Sequence, residues 1–313
     1  MITIKKIEIK DYFGKGNFEW NLDPVVNILG GKNGSGKSSL FRLCYMLLSS
    51  DKMDENTDRH FSALFGEITL TFSNDWTLIW THAKKGDMYI TDMRGNASPQ
   101  NYRADTITIL DNEGQKREFS ELKQLVQVFL INSFEQHASK AAQYELQPQS
   151  SPLDNPTMLD LMIKDQIDLR NKNFAHAMER FVDSPEENEA MQLEYVQNYK
   201  KIYTSLAHFL KGYEFKSAFK FTKNNQEIGY EYLSMGEKQI MLLLLMVNNT
   251  NQQQCIFLMD EPDLSMHIDW KEILVKELHE LNPNMQIILS THAPSVITGW
   301  HDKVKEVDHL IEK

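Results

Sequence analysis

A glycine-rich stretch near the N-terminus carries the clearest chemistry in the chain. Residues 31–38 read Gly-Lys-Asn-Gly-Ser-Gly-Lys-Ser and match the pattern G-x-x-x-x-G-K-[ST]. Glycines let the backbone approach phosphate oxygens closely, and the helix that follows adds its positive N-terminal end. The apolar run at 24–31 predicts a buried strand and the run at 38–50 a helix, which is the context this loop requires.

The spacing of the motif assigns a role to each of its polar positions. We expect the loop to bind ATP, with Lys37 reaching the β- and γ-phosphates and the Ser38 hydroxyl ligating Mg²⁺. The residues assigned to nucleotide binding here are Asn33, Gly34, Ser35, Gly36, Lys37, Ser38 and Ser39.

A pair of carboxylates ends a second apolar run. Residues 256–259 are Ile-Phe-Leu-Met and predict a buried strand that delivers Asp260 and Glu261 at its carboxyl end. A strand ending in Asp-Glu is common and often structural, but the phosphate loop upstream gives this pair a function. We expect Asp260 to hold Mg²⁺ and Glu261 to orient and polarise the attacking water.

A third motif, Leu-Ser-Met-Gly-Glu-Lys-Gln at 233–239, stands about 20 residues before the acidic pair. By itself it predicts a helix start, in which Ser234 is the cap and Glu237 completes a capping box. It also resembles the signature motif of ATP-binding-cassette (ABC) ATPases. In the same family His292, in LSTHAP, takes the place of the switch histidine, and residues 263–270 that of the D-loop.

These motifs stand in the family's order from Gly31 to His292, and the D-loop form is similar to that of the RecF, SMC and OLD-type branch. The resemblance implies a homodimer that sandwiches ATP. The phosphate loop of one subunit would be closed by Ser234, Gly236 and Glu237 of the other, with Glu261 and His292 as the catalytic pair.

The resemblance also implies a glutamine that senses Mg²⁺ after a strand between the phosphate loop and the middle of the chain. Gln136 has that place, although Glu135 competes for it. The adenine pocket carries no mark in the sequence. Tyr12 and Phe13 are candidates to stack on the base, but aromatic residues at strand ends are more often part of the core.

The coarse pattern predicts an α/β fold in three parts, with a mixed-sheet core, an antiparallel β-subdomain and an inserted helical subdomain. Residues 1–136 form an N-terminal ATPase lobe, in which 66–72, 76–82 and 87–93 are expected to be successive antiparallel strands. Residues 137–210 read as helices, and 211–313 as a C-terminal lobe that opens with strands at 215–222 and 227–233.

Composition narrows the class of protein. The 313 residues carry 33 Lys plus Arg against 44 Asp plus Glu, a net charge of −11 that argues against binding nucleic acid mainly through phosphate neutralisation without excluding it. Cys44 and Cys255 lie in apolar runs and are expected in the core. The first ten residues alternate Ile with Lys and Glu, which is not the pattern expected of a signal peptide, and the longest apolar run, Ile240–Val247, is too short to span a membrane. A cytoplasmic protein with no membrane partner is expected.

The sequence is compatible with three kinds of protein from this family. The favoured one is a stand-alone ATPase like those that accompany bacterial anti-phage effectors. Since only about 20 residues follow His292, we expect any nuclease or toxin to be a separate polypeptide. A RecF-like DNA-repair clamp is the second. The ATP-driving subunit of a transporter is the third, and the signature form, the D-loop form and the length of the insertion argue against it.

Overall fold

A computed structural model describes residues 2–50, 60–61, 63–81, 89–91, 97–99, 106–131, 157–183, 189–215, 219–264 and 266–312. Its strands in chain order are β1 (Ile4–Ile9), β2 (Asn17–Asn21), β3 (Val26–Gly30), β4 (Ile68–Phe72), β5 (Thr77–Thr81), β6 (Tyr89–Thr91), β7 (Ala97–Pro99), β8 (Thr106–Leu110), β9 (Lys116–Arg117), β10 (Val128–Ile131), β11 (Glu214–Phe215), β12 (Phe221–Lys223), β13 (Gln226–Ile228), β14 (Cys255–Asp260), β15 (Met285–Ser290), β16 (Val304–Glu306) and β17 (Ile311–Glu312). The α-helices are α1 (Lys37–Ser49), α2 (Phe119–Leu125), α3 (Met158–Asp183), α4 (Glu189–Phe209), α5 (Met235–Asn248) and α6 (Ile268–Leu281).

A parallel sheet with the order β10-β14-β15-β3-β16 carries the motifs. Every residue of β3, β14 and β15 is buried, which explains their continuous apolar runs, because a parallel sheet is covered on both faces. The three strands are neighbours and run in the same direction. Their carboxyl ends therefore lie side by side at one edge of the sheet.

The two faces of this sheet pack against different layers. Ile256, Leu258 and Ile288 pack in one cluster with α1 and the antiparallel sheet. Phe257, Ile287 and Leu289 point the other way, into a cluster with α3, α4, α5 and α6. Alternation along each strand thus places the parallel sheet between a β layer and a helical layer.

The antiparallel sheet has the order β17-β2-β1-β4-β5-β8-β9. Gln286, in β15, links the parallel sheet to β1 and to the segment before β3 through three hydrogen bonds. Its Nε2 donates to the carbonyls of Ile4 (2.8 Å) and Asp23 (2.9 Å), and its Oε1 accepts from the Ile4 N–H (2.9 Å). A side chain at 0% exposure therefore satisfies backbone groups where the two sheets meet.

The helices α3 and α4 pack on α5, which begins with the signature motif. Lys238 and Asp160 form a buried ion pair, with Nζ and Oδ1 at 2.6 Å, between the first turns of α5 and α3. Arg170 of α3 donates to the Asn248 side chain and to the Tyr199 carbonyl. The predicted boundary at 137 lies outside the described residues, so the division into three domains stays a prediction.

The structure corrects three strand predictions. The strand predicted at 215–222 is instead two short strands, β11 and β12, which pair antiparallel with each other. Residues 89–91 do not follow β5 in the large sheet; β8 pairs with β5, and β6 pairs with β7 in a separate two-stranded sheet. The strand predicted at 227–233 stops at Ile228, because residues 230–232 form a 3₁₀ turn that leads into the cap of α5. Cys44 and Cys255 are buried, as expected. Among the described helices, none combines the length and apolar character needed to cross a membrane.

Candidate active site

The phosphate loop depends on glycines in conformations that other residues avoid. It follows β3 and has φ values of 146° at Gly31, 75° at Gly34 and 99° at Gly36, all in the positive region that L side chains rarely adopt. Gly36 is also the N-cap of α1. A Cβ at this position would lie 2.3 Å from Phe13 Cε2 and 2.6 Å from the Tyr12 hydroxyl, so the loop has no room for a side chain there.

Tyr12 holds the loop from below and is not an adenine platform. It is 0% exposed, stacks on Phe18 with 4.9 Å between ring centroids, and donates its hydroxyl proton to the carbonyl of Ser35 at 2.9 Å. Tyr12 is therefore a core aromatic residue, the alternative given above, and is not available to stack on the base. Ser35 is 6% exposed, and its Oγ has no hydrogen-bond partner among the described residues. A buried polar atom of this kind fits a loop that binds a polar ligand.

Lys37 is buried at the first turn of α1, with 5% exposure. Its Nζ donates to the carbonyls of Gly31 (2.7 Å) and Lys32 (3.3 Å) and lies 3.0 Å from Nε2 of His292. Burial lowers the pKa of Lys37 below its ordinary value, and the negative charges of Glu261 and nearby carboxylates oppose this shift. The ammonium group is thus confined at the loop and surrounded by acceptors.

Asp260 and Glu261 stand where β14 ends, and Ser290 of the neighbouring strand β15 orients both. The Ser290 hydroxyl donates to Asp260 Oδ1 at 2.8 Å. The N–H of Glu261 lies 3.1 Å from both the carbonyl and the Oγ of Ser290. Glu261 has φ at 49°, a conformation that costs a non-glycine residue free energy and that these contacts hold.

His292 lies between the lysine and the glutamate. Its Nε2 is 3.0 Å from Lys37 Nζ and 3.2 Å from Glu261 Oε1. One ring nitrogen cannot accept a hydrogen bond from lysine and donate a hydrogen bond to glutamate at the same time. The tautomer of His292 therefore decides which of the two contacts is a hydrogen bond. The structure therefore brings together three residues that are separate in sequence.

The D-loop segment is fixed by the residue that precedes the histidine. Thr291 Oγ1 donates to Asp263 Oδ1 at 2.8 Å, and Lys271 Nζ contacts Asp263 Oδ2 at 3.0 Å. Ser265 lies outside the described residues. Sequence reasoning missed Ser290 and Thr291 as supporting residues, although both stand in the LSTH segment that singled out His292.

The signature segment has the predicted capping box. Ser234 caps α5, its Oγ accepts from the Glu237 N–H at 3.4 Å, and Glu237 Oε2 accepts from the Ser234 N–H at 2.7 Å. Tyr213 donates its hydroxyl proton to Glu237 Oε1 at 3.0 Å and accepts from Lys223 Nζ at 3.0 Å. Ser234 and Met235 are exposed. This chain of contacts orders the helix start while leaving its cap open to solvent.

The predicted site residues fall into two groups within one chain. The phosphate loop, including Asn33, Ser38 and Ser39, lies beside Asp260, Glu261 and His292 at the strand ends. The signature residues Ser234, Gly236 and Glu237 form no hydrogen bond or ion pair with the phosphate loop within the described part of the chain. Gln136 lies outside the described residues, so its role stays a prediction.

The residues at the strand ends fit a nucleotide-bound magnesium ion. The described residues contain no group of three or more His, Cys, Asp or Glu side chains that would form a closed metal cage. Mg²⁺ is usually held by one or two protein oxygens, waters and substrate phosphates rather than by such a cage. Asp260, oriented by Ser290, and Ser38 at the start of α1 supply oxygens of the required kind.

Comparison with known proteins identifies the family of the chain. A family model described as the RecF/RecN/SMC N-terminal domain matches residues 3–310. The chain belongs to this family. It is an ABC-type P-loop ATPase of the RecF/SMC branch, as the motifs predicted. The SMC head domain from Thermotoga maritima is similar to it with a TM-score of 0.51 and 12% identity over 97% of this chain and 94% of that one.

A second solved structure supports the fold class as well. An SMC head bound to the C-terminal winged-helix domain of ScpA has a TM-score of 0.50 and 15% identity, and covers 94% of this chain and 91% of its own. Both likenesses show the fold: an α/β ATPase domain with parallel and antiparallel sheets, as predicted.

Two curated relatives carry names that bear on activity. The Retron Vc95 probable ATPase of Vibrio cholerae serotype O1 biovar El Tor is 35% identical over 100 residues, 28% of this chain and 20% of the relative. The Retron Ec83 probable ATPase of Escherichia coli is 25% identical over 181 residues, 50% of this chain and 32% of the relative. The matches span at most a third of the relatives' length. Their names and the family agree with the prediction of an ATPase.

Replacing Gly36 with Ala should abolish ATP binding, because the new Cβ would collide with Phe13 and Tyr12 and a φ of 99° is strained for alanine. Binding of a fluorescent ATP analogue measures this. Gly114→Ala is the matched control: it also sits at positive φ, 76°, but its Cβ would meet nothing within 4 Å. The control should lose about 1–2 kcal/mol of stability and bind normally. Equal binding by both variants would contradict the proposed loop.

Proposed function

We propose that the chain binds Mg-ATP between two head-to-tail copies and hydrolyses it. The observation that carries the proposal is the convergence of Lys37, Glu261 and His292 at the carboxyl ends of three neighbouring parallel strands. A phosphate-binding lysine and a carboxylate base are groups that assist phosphoryl transfer to water, and the family resemblance gives the histidine a contact with the γ-phosphate.

The phosphate loop binds and orients the triphosphate in this proposal. Backbone N–H groups of the glycine-rich turn and the N-terminus of α1 contact the phosphates, and Ser38 and Asp260 hold the cation. Lys37 exchanges its contacts with the carbonyls of Gly31 and Lys32 for phosphate oxygens, which are stronger partners for a buried ammonium. Bound Mg²⁺ supplies positive charge at the phosphates.

Glu261 accepts the proton of the attacking water, and His292 contacts the transferred phosphoryl group. The bonds from the Glu261 backbone to Ser290 fix where the carboxylate points, so little reorganisation is needed when water enters. His292, which lies between Lys37 and Glu261, senses occupancy because a γ-phosphate competes for the same lysine.

The second copy is proposed to supply the signature. Ser234 caps the N-terminus of α5, whose positive end attracts a phosphate. Large apolar side chains flank this cap and the D-loop helix with high exposure: Tyr232 at 55%, Met235 at 53% and Ile268 at 59%. Exposed apolar residues around the positive end of a helix are typical of a surface that binds another protein.

The proposed role in the cell is control of a separate effector, a nuclease or toxin, in anti-phage defence. The names of the two relatives, both retron probable ATPases, support it. The family model, which joins RecF, RecN and SMC proteins, favours this branch over the ATP-driving subunit of a transporter. A RecF-like DNA clamp remains the second candidate from the same family.

Replacing Glu261 with Gln should lower ATP hydrolysis about 10²- to 10⁴-fold, because the amide cannot accept the proton of the attacking water. Nucleotide binding should persist, since Lys37 and the loop are unchanged. Phosphate release and binding of an ATP analogue measure the two effects separately. Glu272→Gln removes an exposed carboxylate from α6 and is the control. Unchanged phosphate release in Glu261→Gln would remove Glu261 from its role.

Co-expression with the products of neighbouring genes tests the effector. We expect a stable complex with a nuclease or toxin whose activity changes when Lys37→Ala removes ATP binding. Activity of that product that is independent of this chain, in the wild type and in Lys37→Ala alike, would contradict effector control. An ATP-dependent complex with membrane permeases would instead establish the transporter alternative.

A further inference from the structure

A cavity of about 420 Å³ lies at the opposite edge of the parallel sheet from the phosphate loop. Gln127 immediately precedes β10 and Gln253 stands two residues before β14, so both mark the amino ends of the strands. The phosphate loop follows the carboxyl end of β3, which runs parallel to them. Six residues of strand span about 20 Å. The cavity is therefore separate from the candidate ATP site.

One wall of the cavity is a stripe of residues on α3 that is polar apart from Leu169. Its members are Gln166, Leu169, Asn173, His176 and Arg180. They are spaced by three, four, three and four residues, which puts them on one face of the helix. The buried residues Ile163, Arg170 and Ala177 lie on another face, toward the core. The stripe is thus the polar face of the helix, with Gln166 and Asn173 half-buried and His176 and Arg180 exposed at the mouth of the cavity.

The floor adds further amide groups from the segment after α5. Asn249 Nδ2 donates to the Gln166 carbonyl (2.9 Å) and Oε1 (3.0 Å), which fixes these two side chains. Gln127 and Gln253 are exposed and Asn173 is half-buried, and no hydrogen bond from these three side chains to another described residue occupies their amide groups. Each amide offers both a donor and an acceptor. A ligand that carries hydrogen-bond donors and acceptors along one edge can pair with these amides.

Charge in the cavity is opposite to that of the chain as a whole. Arg180 supplies the positive charge, and none of the described lining residues is Asp or Glu, although the chain has a net charge of −11. Glu179 Oε2 lies 3.5 Å from His176 Nδ1, but its side chain is 74% exposed and does not line the cavity. Tyr195 of α4 and Phe129 of β10 supply aromatic surface. The lining therefore suits a flat polar ring attached to an anion.

We propose that this cavity binds a nucleobase together with its phosphate, supplied by a free nucleotide or by a single-stranded nucleic acid. The amides contact the edge of the base, the aromatic side chains its face, and Arg180 the phosphate. The volume lies within the range of pockets for small molecules. This site is independent of the proposed ATP hydrolysis, because it shares no residue with the phosphate loop or the signature.

Calorimetric titration in a Lys37→Ala background tests the proposal, since that change removes binding at the phosphate loop. The probes are the four ribonucleoside 5′-monophosphates and a short single-stranded oligonucleotide of mixed sequence. We expect saturable binding of one molecule per chain. Arg180→Gln should weaken it about tenfold or more, because a charge-assisted bond to phosphate is lost. Asn173→Leu should also weaken it and alter the preference among bases.

The matched control is Lys172→Gln, which removes an exposed positive charge from the same helix outside the cavity. It should change the affinity no more than about twofold. Binding of monophosphates identifies a free nucleotide as the source, and binding of the oligonucleotide alone identifies a nucleic acid strand. The proposal fails if neither probe binds saturably at millimolar concentration, or if Arg180→Gln and Lys172→Gln have equal effects. Because phosphate-loop binding is absent throughout, the outcome does not depend on ATP hydrolysis.

Discussion

Lys37 Nζ and Glu261 Oε1 contact the same nitrogen of His292, at 3.0 and 3.2 Å, and the candidate site depends on this meeting point. It exists because β3, β14 and β15 are neighbours in one parallel sheet, so that the start of α1 after β3 and the residues that follow β14 and β15 lie at the same edge. The buried apolar runs of these strands fix their register, since both faces are covered. The packing of the core therefore also determines the geometry of the site.

Among the described residues of one chain, the signature segment forms no hydrogen bond or ion pair with the phosphate loop. Ser234 and Glu237 belong to a helix start that is ordered by Tyr213 and Lys223 and exposed at its cap. An ordered but uncovered cap is what a site shared between two copies would need, because each copy presents both halves outward. The buried ion pair between Lys238 and Asp160 ties this helix start to α3. This contact connects the helical layer directly to the signature segment.

The sequence predicted the parts of the site that are continuous along the chain. The phosphate loop, the strand ending in Asp260 and the capping box of Ser234 each carry their own local signal of glycine, apolar run or cap. Contacts across strands carry no such signal. Ser290 supports Asp260 and Glu261 at the end of another strand, and Tyr12 reaches the loop from the turn between β1 and β2. The pairing of β6 with β7 was missed for the same reason, because alternation predicts a strand but not its neighbour.

Mixing two inactive variants tests the central claim most directly. Lys37→Ala disables the phosphate loop, and Ser234→Arg blocks the signature by placing a bulky charge at the cap. In a head-to-tail pair of one copy of each, one site combines both defects and the other combines an intact loop with an intact signature. We predict that the mixture regains ATP-dependent phosphate release above the sum of the two variants alone. Phosphate release that stays at that sum, while mixed pairs are present, would contradict a site built from two copies.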